Sequence, residues 1–141
     1  MTEKSENILP DAKVFFDAIT TAAAGLVYIS ETDAPIEPFL GTAAEKVTLE
    51  EFRAQVLSPP DTNVQEVDPA VLIAELTRLQ PWYGDAKKAT AARYAALFDL
   101  LQSGLTEIKE FRIGSRMIDI YVVGLTRDGR LAGIKTRAVE T

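Results

Sequence analysis

The hydrophobic pattern of this chain changes period about two thirds of the way along, and the change limits the folds open to it. The early segment that begins at Pro10 and ends near Gly25 has apolar residues at helical spacing. Residues 110–113 and 117–123 are instead rich in β-forming residues, and 117–123 is apolar on nearly both faces, as in a central strand covered by helices. Asp128-Gly129 is a strong hairpin signal, so the chain is predicted to return as a partner strand over 131–139.

Capping residues predict where the other helices begin. Thr48 and Glu51 form a capping box, Asp68 precedes a first-turn proline, and Asp85 is predicted to cap the longest helix. The predicted helices are about 48–57, 68–79 and 86–103, and short strands are predicted at 26–29 and 64–67. The predicted core stripe of the longest helix is Ala89, Ala92, Ala96, Leu97, Leu100 and Leu101.

Helices followed by a strand meander predict an α+β fold with a mainly antiparallel sheet and helices packed over both of its faces. The strand at 26–29 is predicted to join that sheet, while Pro35 and Pro38 are predicted to prevent regular strand pairing after it. The length of 141 residues suits one domain. We predict a mobile polar tail over 1–9 and a single domain over 10–141.

Two absent residue types remove whole classes of chemistry. The chain has no Cys and no His, which excludes disulfides, thiolate or imidazole metal sites, and Ser-His-Asp or Cys-His catalysis. Phosphate-binding glycine loops, EF-hand loops and nucleic-acid-binding motifs are also missing. This composition favours a non-enzymatic protein without a cofactor.

Charge and hydropathy restrict the partners. The net charge of −6 disfavours direct binding to nucleic acid and favours a basic protein partner. No apolar run of 18 or more residues predicts a membrane span, and the polar N-terminal residues do not resemble a signal peptide, so a cytoplasmic location is expected.

The loop from Ser30 to Glu37 concentrates carboxylates beside hydroxyl groups. It is either a solvated turn with local side-chain-to-backbone hydrogen bonds or a weak Mg²⁺ or Ca²⁺ site, and the ligand spacing of such a site is lacking. Trp82 and Tyr83 lie in a Pro/Gly turn, where each ring either fills the core or anchors an interface.

Asp119 and the C-terminus are the other candidate groups. Asp119 lies on an apolar strand, where an ion pair with Arg112, Arg116 or Arg137 is favoured over a catalytic role. The C-terminal residue, Thr141, either frays or projects its terminal carboxylate from the end of a strand.

Four segments of the sequence stand out together: Gly25 to Glu31, Trp82-Tyr83, Asp119 to Gly124 and Leu131 to Thr141. With these segments the chain resembles the nuclease A inhibitor family, whose members inhibit sugar-non-specific, metal-dependent endonucleases. The resemblance is nearly residue for residue over the last segment and continues without gaps from about 82 to 141. It is good from about 7 to 39 and loose over 40–80.

This resemblance implies an α-β-α sandwich like that of the pathogenesis-related class 1 proteins. It also implies that the inhibitor, a monomer when free, plugs the active site of a basic, metal-dependent nuclease in a one-to-one complex. Glu31 is expected to reach the catalytic metal ion of the nuclease, Thr141 to make a second contact and Trp82 to lie at the interface. The acidic residue that precedes this tryptophan in the family is replaced here by Pro81.

Two alternatives to inhibition stay open. The first is a non-enzymatic binding or regulatory module of the same fold with a different protein target. The second is a metal hydrolase that uses Glu31, Asp33 and Asp119. Convergence of these carboxylates in a cleft would favour the hydrolase, whereas a protruding Glu31 would favour the inhibitor.

Overall fold

The structure, a computed structural model, describes residues 12–56 and 63–140. The predicted tail, the predicted helix start at Pro10, the predicted end of the second helix near Leu57, and Thr141 lie outside these residues. The helices are α1 (Ala12–Ala23), α2 (Leu49–Gln55), α3 (Pro69–Thr77) and α4 (Asp85–Gly104). The strands are β1 (Val27–Ile29), β2 (Asp33–Pro35), β3 (Glu37–Ala43), β4 (Val64–Val67), β5 (Thr106–Ile113), β6 (Met117–Leu125) and β7 (Arg130–Val139).

Five strands form one antiparallel sheet in the order β3-β7-β6-β5-β4, and β1 and β2 form a separate antiparallel pair. The predicted α+β fold is therefore confirmed. The prediction that the strand at 26–29 joins the main sheet is wrong, because β3 takes that place beside β7. The prediction that prolines prevent pairing is also wrong: Pro35 pairs with Val27, and Pro38 lies opposite Ile134. An edge strand tolerates proline, because its missing N–H can face solvent.

Helices cover both faces of the sheet, and side chains of each strand alternate between them. On one face, Ile120 and Val122 of β6 pack in a core with Phe15 of α1, Leu72 of α3 and residues of α4. On the other face, Tyr121 packs in a second core around Phe52 of α2, whose ring stacks on Phe111 with the centroids 4.4 Å apart. This α-β-α layering leaves β6 apolar on both sides, as its sequence predicts.

The predicted core stripe of the longest helix is half right. Leu97 and Leu101 are buried and Leu100 packs against the core, whereas Ala89, Ala92 and Ala96 are exposed. The buried side is made up of Ala91, Tyr94, Leu97, Phe98, Leu101 and Gly104. Gly104 gives α1 room to approach, because a Cβ there would lie 2.1 Å from a ring carbon of Phe15.

Local capping follows the sequence in two helices out of the three with predicted caps. The Thr48 hydroxyl accepts a hydrogen bond from the Glu51 N–H at 3.1 Å, and the Asp68 carboxylate accepts one from the Ala70 N–H at 3.0 Å. The prediction for Asp85 is wrong: Gly84 precedes α4 without a side-chain cap, and Asp85 is the first helical residue.

The Asp-Gly hairpin between β6 and β7 is confirmed. Gly129 has a φ of +82°, a value that glycine adopts without steric cost. Thr126 and Arg130 close the turn, with the Thr126 N–H donating to the Arg130 carbonyl at 2.8 Å. No helix in the two described ranges is long and apolar enough to cross a membrane.

Candidate functional site

The Glu31 turn, defined here as Ser30 to Thr32, joins β1 to β2 and is hydrogen-bonded to the end of β7. The Ser30 hydroxyl donates to the Thr32 carbonyl at 2.9 Å and accepts from the Val139 N–H at 3.0 Å. The Glu31 N–H donates to the Val139 carbonyl at 3.4 Å. The Glu31 side chain is exposed. The turn therefore presents its carboxylate from a backbone that is hydrogen-bonded to the main sheet.

Ser30 was missed as a candidate residue by the sequence analysis. The sequence analysis gave local hydrogen bonding as one of two interpretations of the loop from Ser30 to Glu37, and such a bond is present at Ser30. Ser30 also bonds to Val139, a residue 109 positions away. Hydroxyl residues in turns commonly bond to nearby backbone, and no pattern in the sequence indicates a strand as the second partner.

The end of the described chain lies beside this turn. Val139 holds Ser30 and Glu31, and the next residue, Glu140, donates its N–H to the Arg116 carbonyl at 2.8 Å. The structure thus brings together two of the segments that carry the family resemblance, the Glu31 turn and the C-terminal strand. Thr141 itself lies outside the described residues.

Trp82 projects from the connection between α3 and α4 and is 76% exposed. The ring is therefore not part of the core, which was one of the two interpretations of its sequence. Its neighbour Tyr83 is half-buried, meets it edge-on with the ring centroids 6.5 Å apart, and donates its N–H to the Gln80 carbonyl at 3.0 Å. The Lys87 ammonium lies 5.1 Å from the centroid of the Tyr83 ring. Tyr83 thus supports an otherwise exposed tryptophan.

Asp119 has the structural role that the sequence favours. Its carboxylate accepts a hydrogen bond from Arg137 Nε at 2.9 Å across β6 and β7. The Asp119 side chain is 40% exposed, so this ion pair lies partly in solvent. Within the described ranges, no three acidic residues lie close enough to hold a metal ion. The arrangement therefore gives no support to a hydrolase built on Glu31, Asp33 and Asp119.

Glu110 is a buried acid that the sequence analysis did not single out. It is 1% exposed, and one carboxylate oxygen accepts a hydrogen bond from Arg112 Nε at 2.6 Å. The other oxygen has no hydrogen-bond partner among the described residues. Burial raises the pKa of Glu110, although Arg112 opposes the shift. The alternation of polar and apolar residues over 110–113 normally indicates that Glu110 and Arg112 face solvent. Here helices cover both faces of the sheet, so the face that carries Glu110 is also covered.

The structure is a small α+β domain in which Glu31, in the turn between β1 and β2, and Trp82, between α3 and α4, are exposed to solvent. The chain belongs to the nuclease A inhibitor-like family, whose model matches residues 13–141. Membership supports a role as a nuclease inhibitor in general. A search of curated protein sequences finds no match to the chain.

Proposed function

We propose that this protein is a non-enzymatic inhibitor of a metal-dependent, sugar-non-specific endonuclease and that it blocks the active site of that enzyme. Membership of the inhibitor family supports the class of function. The observation that carries the site is the Glu31 turn, whose exposed carboxylate projects from backbone hydrogen-bonded to β7. In this proposal Trp82 and Thr141 make further contacts with the nuclease.

The chemistry of a nuclease active site suits a carboxylate plug. A catalytic divalent cation and its basic surroundings hold phosphate oxygens, and a carboxylate oxygen is an equally hard ligand. Because the Glu31 turn is already hydrogen-bonded to the sheet, less ordering entropy is lost when the carboxylate binds. Glu31 would supply a ligand to the metal ion of the nuclease, and the inhibitor needs no cofactor of its own.

The charge of the chain supports a basic partner. The net charge of −6 would accelerate encounter with a basic cleft and repel free nucleic acid. Because each chain has one Glu31 turn, we propose that each chain binds one nuclease, and we further propose that the free inhibitor is a monomer. The association rate is then expected to fall with rising salt, because charges are screened beyond ~10 Å at 0.1 M ionic strength.

A different target protein is the second candidate. It is favoured by Pro81, which occupies the position of the acidic residue that precedes the interface tryptophan in the family. Proline cannot supply that charge, so one contact would be lost or replaced. A protein domain can keep its fold while its partner changes.

The test compares Glu31→Ala with Glu45→Ala in titrations that follow DNA hydrolysis by nuclease A. Both residues are exposed and both changes remove one negative charge, so Glu45→Ala controls for long-range electrostatics. We expect Glu31→Ala to weaken inhibition by roughly 2–5 kcal/mol without lowering the melting temperature, because the side chain supports no core. The isolated protein should not hydrolyse DNA when Mg²⁺ is added.

Three results would count against the proposal. If the unaltered chain does not inhibit nuclease A, the target differs from the one in the family's name. If Glu31→Ala inhibits as well as the unaltered chain, the carboxylate is not the plug. If the isolated protein hydrolyses DNA in a metal-dependent manner, the protein is an enzyme.

A further inference from the structure

A groove of about 380 Å³ runs between β1 and the helices α3 and α4. Val27 and Ile29 line it on the strand side, and Leu76, Ala86 and Ala91 line it on the helix side. Its volume is at the lower end of the range for binding pockets, roughly 300–1,000 Å³. Val27 is 39% exposed and Ile29 is 74% exposed, so two aliphatic side chains of β1 are accessible to solvent at the groove.

The Tyr94 side chain makes a neutral, hydrogen-bonded wall of the groove. Its hydroxyl donates to the Val27 carbonyl at 2.7 Å, which ties α4 to β1. Burial raises the pKa of Tyr94 to about 12, which makes ionisation of the phenol still less favourable than in water. Because the hydroxyl proton is already donated to a backbone carbonyl, Tyr94 has no proton left to donate to a molecule in the groove.

The position of the groove indicates which molecule would cover it. The lining of the groove includes Ile29, two residues before Glu31, and Tyr83, whose ring contacts Trp82. The groove therefore lies beside both residues that the proposed function places against the nuclease, and a nuclease that contacts them would also reach the groove. The charged side chains of Glu75, Arg78 and Lys87 line the groove beside the apolar ones, and protein interfaces also combine apolar and charged residues.

We propose that the groove receives an apolar side chain of the nuclease that Glu31 and Trp82 engage. The proposal rests on the proposed function, since it takes the same partner. It adds a third point of recognition, which is hydrophobic and independent of the metal ion. Such a contact would allow the inhibitor to distinguish one nuclease from another whose catalytic centre is the same.

The experiment fills the groove with a side chain of the inhibitor itself. Ala86 is exposed and lines the groove, so Ala86→Phe places an aromatic ring in it. The matched control is Ala92→Phe, because Ala92 is exposed on the same helix but does not line the groove. A second pair, Thr90→Lys and Ala92→Lys, places a charge inside or outside the groove with the same change in net charge. This pair applies if Ala86→Phe does not fold. The inhibition constant against nuclease A and the melting temperature are measured for each.

We expect Ala86→Phe and Thr90→Lys to weaken inhibition at least ~10-fold, while both Ala92 variants stay within about twofold of the unaltered chain. If the unaltered chain inhibits and the groove variants inhibit equally well, the groove proposal is overturned and the proposed function stands. If the unaltered chain does not inhibit, the proposed function fails and the groove proposal fails with it. Self-association of the free chain that Ala86→Phe abolishes would assign the groove to a second copy and would overturn the proposal.

Discussion

Replacing Trp82 by alanine separates a binding role from a structural one, because the free protein leaves the residue 76% exposed. A tryptophan buries up to ~250 Å² when fully covered. About a quarter of that area, ~60 Å², is already covered, which corresponds to ~1.5 kcal/mol of stability at ~25 cal/mol per Å². The remaining ~190 Å² sets an upper limit of about 5 kcal/mol on what a complex could gain by covering the ring.

We therefore expect Trp82→Ala to lower the free energy of unfolding by less than ~1.5 kcal/mol. Inhibition of nuclease A should weaken by about 2–4 kcal/mol, which is roughly 30-fold to 1,000-fold in the inhibition constant. Urea denaturation measures the first quantity, and titration of DNA hydrolysis measures the second. Val71→Ala is the control. Val71 is 72% exposed on α3 and belongs neither to the Glu31 turn, nor to the connection that carries Trp82, nor to the groove.

Fluorescence gives an independent measurement, because Trp82 is the only tryptophan in the chain. Acrylamide should quench the free protein readily and the complex much less. The reasoning is refuted if Trp82→Ala costs ~3–5 kcal/mol of stability, the range for truncating a buried aromatic residue, while inhibition is unchanged. It is equally refuted if Trp82 stays fully accessible to acrylamide in an inhibited complex.

Two further predictions concern the chain end and the buried acid. Removing Thr141, or adding a C-terminal tag, should weaken inhibition without changing the melting temperature, because the residues before it are held by hydrogen bonds to Ser30 and Arg116. An N-terminal tag is the control, and equal inhibition by the C-terminally tagged protein would remove Thr141 from the site. Burial raises the pKa of Glu110 above its ordinary value of 4.5, so the folded state holds this proton at pH values where the unfolded chain has lost it. The contribution of the Glu110 carboxyl group to the free energy of unfolding is therefore greatest at low pH and falls as the pH rises through the raised pKa. Glu110→Gln removes this pH-dependent contribution, because glutamine does not titrate. Urea denaturation of both proteins between about pH 4 and pH 8 should show the advantage of the unaltered chain shrinking with pH, and a pH-independent difference would contradict this assignment.

Sequence analysis predicts best where a structure depends on neighbours in the chain. The caps of α2 and α3 are formed by Thr48 and Asp68, whose side chains bond to backbone groups two or three residues away. The hairpin between β6 and β7 depends on Asp128-Gly129 in the same way. The run of apolar residues in 117–123 also predicts helices on both faces of the sheet, because a strand with two apolar sides must be covered twice.

The identity of the strand that joins the sheet could not be predicted. Val27 to Ile29 and Glu37 to Ala43 are both short segments near prolines, and only the packing of the whole sheet places the second beside β7. The alanine part of the predicted core face of α4 was wrong for a related reason, while Leu97 and Leu101 were predicted correctly. The alanines of α4 satisfy a helical stripe on more than one side, and contact with α1 and the sheet selects the side with Tyr94 and Phe98.

The candidate site divides in the same way. Resemblance to the family indicated Glu31, Trp82 and Thr141, and the net charge of −6 by itself indicated a basic partner. Only the tertiary structure places the Glu31 turn against Val139, exposes Trp82, and leaves a groove between β1 and α4. These features depend on hydrogen bonds and packing between residues that are 67 to 109 positions apart, and such contacts leave no local pattern in the chain.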